Sequence, residues 1–234
     1  MTPYKIMELS LASVGLSISN SAFKTRAREY LDLTAIDITN RTRWLWRFKD
    51  TTLTTVAAQR AYSLASDVLE PLQFRDQTND QPLEMWTTDT IDHADPGDTE
   101  SGQTRAVIIT GINSSTGYWS VALFPTPSAV TTVAYRYFAY WVPLATNGND
   151  DLVDLAPKIP LWVQPALIHG TTEKYYTEKG NFQLAANERQ KMEAIIATAL
   201  DRNIQARGSV RTRLERADER AQPFDFRVRE GTLS

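Results

Sequence analysis

The spacing of apolar residues changes twice along this chain, and these two changes constrain the fold more than any other feature. Apolar positions recur about every 3.6 residues over 4–48 and again after residue 157, whereas residues 51–141 are rich in Thr, Val, Tyr and turn residues. The first pattern indicates helices and the second indicates strands. We therefore predict an α+β fold in which terminal helices form a bundle around an inserted antiparallel β-domain, with these boundaries: bundle 1–50 and 152–206, β-domain 51–151, extended C-terminal arm 207–234.

Two helices are predicted in the N-terminal part of the bundle. A short one presents Ile6, Leu9 and Ser13 on one face. After a run of capping residues at 19–21, a long one covers 20–48 and would measure about 43 Å at 1.5 Å per residue. Its apolar face is formed by Phe23, Ala27, Tyr30, Leu31, Thr34, Ile38, Leu45 and Phe48.

The inserted domain contains a predicted meander, which is a run of neighbouring antiparallel strands. Its strands cover residues 105–112, 118–124 and 129–141, separated by turns at 113–117 and 125–127. Alternating β-branched and aromatic residues between turn residues are typical of such strands. Shorter strands are predicted at 69–75 and 83–86, with a short helix at 87–94 capped by Thr87 or Thr88.

Two further helices are predicted after residue 157. The first has Val163, Ala166, Leu167 and Gly170 on one face and continues to Lys179. Gly180 and Asn181 are typical helix-ending residues. The second covers residues 182 to about 206, and a short connection favours antiparallel packing of the two. Its predicted face is formed by Phe182, Ala185, Ala186, Met192, Ile196, Ala199 and Leu200.

The last thirteen residues, 222–234, which we call the tail, have the pattern of a strand without a partner. Phe224, Phe226 and Val228 alternate with Asp225, Arg227 and Arg229 behind an arginine-rich helical or coil segment. Burying three such side chains yields roughly 5–8 kcal/mol, whereas ordering the backbone costs about 1–2 kcal/mol per residue. We therefore expect the tail to add to a sheet edge of another chain; the alternative is that it folds back onto its own sheet.

No motif for catalysis, a cofactor or a metal emerges from the sequence. The chain has no cysteine, and its two histidines, His93 and His169, lack a metal-spaced second His. The Asp89, Asp92 and Asp95 group is interpreted as complementing a short helix, and His169 with Glu173 as a surface pair. Asn147, Asn149 and Asp151 resemble the start of a calcium loop, but Leu152 and Lys158 occupy positions that require Gly and Glu.

Charge and aromatic patterns give limited support for nucleic-acid binding. The net charge is −3, although eight of the 18 arginines lie from Arg202 onward. The segment from Arg207 to Arg220 contains five arginines and three acidic residues. Such a mixture is typical of a solvated or salt-bridged helix face. The aromatic residues Tyr135, Tyr137, Phe138, Tyr140 and Trp141 favour a core strand, with a base-stacking platform as the alternative.

The order of several segments resembles the head-to-tail adaptor proteins of tailed bacteriophages. These segments are WLW at 44–46, TTLTTVAAQRAYSL at 51–64, the short acidic helix at 88–95, FPTP at 124–127, the tyrosine-rich strand and the paired C-terminal helices. The resemblance extends over about residues 20–205. It implies a non-enzymatic protein that forms a dodecameric ring beneath the portal, reaches the portal through its C-terminal segment, and extends the DNA channel toward the tail.

The resemblance also implies a set of partners. They are the portal protein, neighbouring adaptor subunits, a downstream tail or stopper protein, and genomic DNA that passes without specific binding. The predicted location is the neck of the virion, after assembly in the host cytoplasm, and we predict no membrane partner and no cofactor. The residues expected to contact the portal or a neighbouring subunit are Phe224, Phe226, Val228, Arg227, Arg229, Arg213 and Arg216.

Three alternatives remain at this point. One is a tail terminator or stopper ring protein of the phage neck. Another is a nucleic-acid-binding protein that uses the arginine-rich C-terminal segment, and it predicts an affinity for DNA that decreases steeply with salt concentration. The third is an enzyme or carbohydrate-binding module with a cleft in the β-domain, although no clustered acid, base or metal set supports catalysis.

Overall fold

The structure, a computed structural model, confirms the α+β class. It describes residues 1–97, 99–144 and 158–206 in full and residues 207–220 by their helical backbone. The helices are α1 Pro3–Ser13, α2 Ser21–Asn40, α3 Thr88–Ala94, α4 Gln164–Glu178 and α5 Phe182–Arg220. The strands are β1 Phe48–Thr54, β2 Ala61–Ser63, β3 Val68–Asp76, β4 Gln81–Trp86, β5 Ser101–Gly102, β6 Ala106–Ile112, β7 Trp119–Phe124, β8 Thr126–Pro127 and β9 Thr132–Ala139.

The N-terminal helices differ from the prediction in two details. In α1 the buried residues include Ile6, Met7 and Ser10, and not the predicted Leu9, which is exposed. The side chain of Asn20 caps α2, as expected, but the helix ends at Asn40 and not at residue 48.

A tryptophan accounts for the early end of α2. The buried Trp44 indole donates to the carbonyl of Ile38 at 2.7 Å, which satisfies a carbonyl near the end of the helix. A single 3₁₀ turn, Leu45–Arg47, then leads into β1. Leu45 and Phe48 have helical spacing in the sequence, but both are about 40% exposed and lie outside the bundle core.

The main sheet has seven strands in the order β1-β9-β3-β4-β6-β7-β2. Every neighbouring pair in it is antiparallel except β4 and β6, which are parallel and are connected through α3. A separate pair of short strands, β5 and β8, is also parallel.

The predicted meander is wrong in its third strand. Strands β6 and β7 pair as expected, but β9 crosses the sheet and lies between β1 and β3. The reason is that β2 occupies the second edge of β7, so β9 cannot pair there. This is a long-range pairing that strand propensity does not encode.

The aromatic strand is a core strand, as the favoured interpretation predicted. Tyr135 and Tyr137 are each 4% exposed and belong to the sheet core, where the Tyr135 ring stacks on Phe74 with 5.6 Å between centroids. Trp141, just after the strand, joins the core of the helical bundle. Strand β9 therefore packs in the sheet core, and the residues that follow it pack in the core of the bundle.

The C-terminal helices pack against each other, and α4 contacts both α1 and α2. Gly170 on α4 permits this close packing, since a Cβ there would lie 2.3 Å from Thr34 of α2 and 2.7 Å from Met192 of α5. The buried α5 residues Ala185, Met192, Ile196 and Ala199 confirm most of the predicted face, whereas Phe182 and Ala186 are exposed.

α5 continues to Arg220, so the backbone of residues 207–220 is helical, which is one of the two conformations that the sequence left open for this part of the C-terminal arm. The prediction ended the helix where its apolar face ends, but Arg, Glu, Ala and Leu favour helix strongly enough to tolerate Gly208. The tail lies outside the described residues. Within the described part of the chain, no helix is sufficiently long and apolar to cross a membrane.

Candidate functional site

The most distinctive surface lies where α5 passes the link between α2 and β1. We call it the shoulder and define it by Leu45, Trp46, Pro160, Trp162, Arg202, Asn203 and Ala206, which line a groove of about 230 Å³. The side-chain oxygen of Asn203 accepts from the backbone N–H of Leu45 at 3.0 Å. The side-chain nitrogen of Asn203 donates to the carbonyl of Arg43 at 3.4 Å. These bonds attach α5 to the α2–β1 link.

The shoulder is apolar and accessible. Trp162 is 40% exposed, and the guanidinium of Arg202 lies 5.4 Å from the centre of its ring, within the range of a cation–π contact. Leu161 and Ile204, next in sequence to groove residues, are exposed by 70% and 64%. Such a concentration of exposed apolar side chains is typical of a protein-binding surface.

A buried arginine joins the bundle to the sheet immediately beside the shoulder. Arg47 is 2% exposed, and it donates from Nε to the carbonyl of Ala139 at 2.6 Å and from Nη1 to the carbonyl of Thr39. Burial lowers the pKa of this guanidinium. Because Thr39 lies at the C-terminal end of α2, the negative end of the helix dipole compensates part of the charge. Arg47 therefore joins α2 to β9.

A carboxylate makes a second connection between α2 and the segment after β9. Asp32 of α2 accepts from the indole N–H of Trp141 at 2.8 Å and from the backbone N–H of Leu144 at 3.1 Å. With the Arg47 bonds, this fixes both sides of the crossing from sheet to bundle. These hydrogen bonds define the joint between the bundle and the sheet.

Ion pairs neutralise many of the cations on the described surface. Arg41 forms a two-pronged pair with Glu193, with contacts of 2.5 and 2.8 Å, and the hydrogen bonds from Arg41 hold the pKa of Glu193 below its usual range. Lys49 pairs with Asp67 at 2.6 Å. No continuous basic face forms from these residues.

The predicted His169–Glu173 pair is wrong. His169 instead contacts Glu188 of α5, with 2.6 Å between Nδ1 and Oε2, because α5 packs alongside that face of α4. Burial would raise the pKa of Glu188, but hydrogen bonds from Lys191 and His169 outweigh it and hold that pKa below its usual range. The pair is a structural contact between two helices.

The acidic cluster around α3 has structural contacts. Asp89 lies in the first turn of α3, as expected, and Asp95 accepts from the backbone N–H of Glu100 at 2.7 Å, which lowers the pKa of Asp95. Among the described residues, no group of three or more His, Cys, Asp or Glu could hold a metal ion. The calcium-loop resemblance at Asn147, Asn149 and Asp151 lies outside the described residues.

Comparison with known protein families shows the family to which the chain belongs. The family model of the SU10 adaptor protein matches residues 11–216, which includes α2, the sheet, α4 and most of α5. The chain belongs to the SU10 adaptor protein family. It is accordingly a phage structural adaptor and a virion component, and membership implies a non-enzymatic role. A search of curated proteins found no match.

The partner-binding residues predicted for this adaptor lie at and beyond the end of α5. Arg213 and Arg216 belong to its helical backbone, although their side chains lie outside the described residues. Phe224, Phe226, Val228, Arg227 and Arg229 fall in the tail, also outside the described residues, so their role stays a prediction.

The shoulder was missed by sequence reasoning. A usable signal was the apolar pair Leu161 and Trp162 between Pro160 and the start of α4, where side chains have no helix face to join. Another was Asn203, a polar residue that continues the buried spacing of Ile196 and Ala199.

Proposed function

We propose that this chain is the head-to-tail adaptor of a tailed phage, which forms a ring beneath the portal, extends the DNA channel and presents the docking surface for the tail of the phage. The observation that carries the proposal is the length of α5. It has 39 residues against 15 in α4, which correspond to about 58 Å and about 22 Å. The helix continues past Asn203, the last buried residue of α5 among those described in full, and the tail follows its end in sequence.

The tail and the end of α5 supply the contacts to the portal or a neighbouring subunit. Phe224, Phe226 and Val228 act as apolar anchors, while Arg227 and Arg229 pair with acidic residues. Arg213 and Arg216 add charge along the helix that leads to the tail. In a closed ring every copy contributes the same weak contact, so the effective concentration multiplies its strength.

The charge of the chain suits a conduit for DNA. Cationic contacts to phosphates bind DNA tightly at low salt, and a channel has to let DNA pass. The net charge is −3, and cations such as Arg41 and Lys49 form ion pairs with carboxylates. These features support a DNA-passing ring over a nucleic-acid-binding protein, and family membership supports an adaptor over a tail terminator or stopper.

The proposal is tested with portal rings purified from the phage that encodes this chain. We expect the full chain to co-sediment with portal rings and a chain lacking residues 222–234 to lose at least tenfold in affinity, because the anchors are gone. A chain lacking only residues 231–234 keeps the alternating segment and serves as the control.

Circular dichroism spectra should be the same for all three chains, which separates loss of binding from loss of fold. Unchanged co-sedimentation of the chain lacking residues 222–234 would contradict the proposal. DNA binding that weakens steeply with salt in the absence of portal would favour the nucleic-acid-binding alternative instead.

A further inference from the structure

Strand β1 is an open edge of the main sheet. Among the residues that the structure describes, it pairs with β9 alone. The hydrogen bond from the N–H of Thr55 to the carbonyl of Thr131, 2.8 Å, shows which residues of β1 direct their backbone groups toward β9. Because inward and outward residues alternate in an antiparallel pair, Asp50 and Thr52 direct their backbone N–H and C=O groups outward. No described residue forms hydrogen bonds with these outward groups.

The core face of the sheet is incomplete at the same edge. Leu53 lies opposite Val133, and Thr51 lies opposite Tyr135. Val133 and Tyr135 are buried, whereas Leu53 and Thr51 are only half-buried, since no further strand covers them. An additional strand with apolar residues on this face would extend the core by one row.

We propose that β1 accepts residues 224–229 from a second copy of the chain as an additional antiparallel strand. This inference rests on the proposed ring and names the contact that its tail makes. The register places Phe224 opposite Leu53 and Phe226 opposite Thr51, on the core face. Arg227 then lies opposite Asp50 on the other face.

Charge complementarity selects this register. Asp50 is exposed and makes no ion pair or side-chain hydrogen bond with another described residue, although Arg136 lies opposite it on β9. Arg227 supplies the missing partner across the new strand pair. A slip of one residue would turn both phenylalanines toward the charged face, so the apolar pattern excludes it.

The geometry of α5 favours a second copy over the same chain. Past Asn203, which fixes the helix at the shoulder, α5 continues for another 17 residues, or about 26 Å. Among the described residues it has no extensive contact with the sheet. Each tail reaching the β1 edge of the next copy gives a head-to-tail contact, which is the kind that closes into rings.

The first test uses the absence of cysteine from the chain. One preparation carries Thr52→Cys and a second carries Asp225→Cys, so a mixed disulfide forms only between different molecules. Residues opposite each other in this arrangement have Cα atoms about 5.5 Å apart, within the disulfide range. We expect covalent dimers in mixtures assembled on portal rings. The matched control is Thr51→Cys with Asp225→Cys, because these side chains lie on opposite faces of the sheet. This control should give at least fivefold fewer covalent dimers.

Fold-back onto the same chain is tested with both cysteines in one molecule at high dilution. Rapid loss of free thiols without formation of covalent dimers would overturn the proposal, as would equal cross-linking of the Thr51 control. Absence of dimers while the chain lacking residues 222–234 still fails to bind portal would show that the tail binds the portal directly. In that case the proposed function stands and this inference fails.

A charge exchange provides a second test that needs no cross-link. Asp50→Arg places like charges opposite each other and should weaken ring assembly about fivefold or more, while Arg227→Asp in the same chain should restore it. Asp80→Arg, at an exposed ion pair in the turn between β3 and β4, is the control. Failure of the double variant to recover assembly, with an unchanged circular dichroism spectrum, would contradict the register.

Discussion

The core of the helical bundle and the core of the main sheet differ in how completely they are covered. In the bundle, core residues such as Ile6, Leu31 and Ala166 are fully buried, and polar contacts join helices that are far apart in sequence. In the sheet, the core face continues to β1 and stops there with Leu53 half-buried. The difference indicates that the core of the bundle is closed within one molecule, whereas the core face of the sheet ends uncovered at β1 among the described residues.

The largest expected effect compares two leucines in these regions. Leu31→Ala should lower the free energy of unfolding by about 3 kcal/mol, because it leaves a cavity in a closed core. Leu53→Ala should lower it by less than about 1.5 kcal/mol in the dilute monomer, since only part of that side chain is covered. Urea denaturation measures both. Equal losses would show that β1 is covered within the monomer.

The joint between the two regions gives the next largest effect. Arg47→Met should cost about 3 kcal/mol of unfolding free energy, because the carbonyls of Thr39 and Ala139 lose their donors in a buried position. Arg43→Met removes an exposed pair with Glu70 and should cost less than about 1 kcal/mol. Similar losses of unfolding free energy in the two variants would show that Arg47 does not hold the sheet to the bundle.

Close packing in the bundle is tested at Gly170. Gly170→Ala should cost about 2 kcal/mol of unfolding free energy, since the new methyl group overlaps Thr34 and Met192. Gly102→Ala in the β-domain meets no atom within 4 Å and serves as the control. A thermal midpoint for Gly170→Ala equal to that of the control would mean that α2, α4 and α5 separate easily.

The smallest expected effect concerns pH. The pKa of Glu188 is lower in the folded chain, so its ionised form stabilises the fold at neutral pH. This contribution is lost as the pH falls below the usual Glu value of about 4.3. Glu188→Gln should therefore flatten the decline of stability between pH 5 and pH 3, whereas Glu173→Gln should not. Identical pH profiles for the two variants would show that the hydrogen bonds from Lys191 and His169 to Glu188 do not contribute to acid sensitivity.

The bundle and the sheet also differ in how far the sequence predicts them. The 3.6-residue spacing located α4 and the buried face of α5 because helix contacts repeat locally. Strand composition located β3, β4, β6 and β7, but it could not place β9 between β1 and β3, since strand order depends on which edges are already occupied. The end of α2 was missed because the hydrogen bond from Trp44 to Ile38 has no signal in apolar spacing.

The candidate site was only partly predictable for a related reason. The tail shows a strand pattern within a few residues, so the prediction that it pairs with another chain comes from the sequence alone. The shoulder combines Leu45, Trp162 and Asn203, which are more than 100 residues apart at the extremes and meet only in the fold. The open β1 edge likewise follows from sheet topology.

Hydrogen exchange at β1 tests the central claim, that one copy leaves this edge open and another closes it. Mass spectrometry would follow the backbone amides of Asp50 and Thr52 in the dilute chain and in chains assembled on portal rings. We predict fast exchange in the dilute chain and at least tenfold slower exchange after assembly, with residues 224–229 protected at the same time. Slow exchange in the dilute full-length chain that becomes fast when residues 222–234 are removed would contradict the claim.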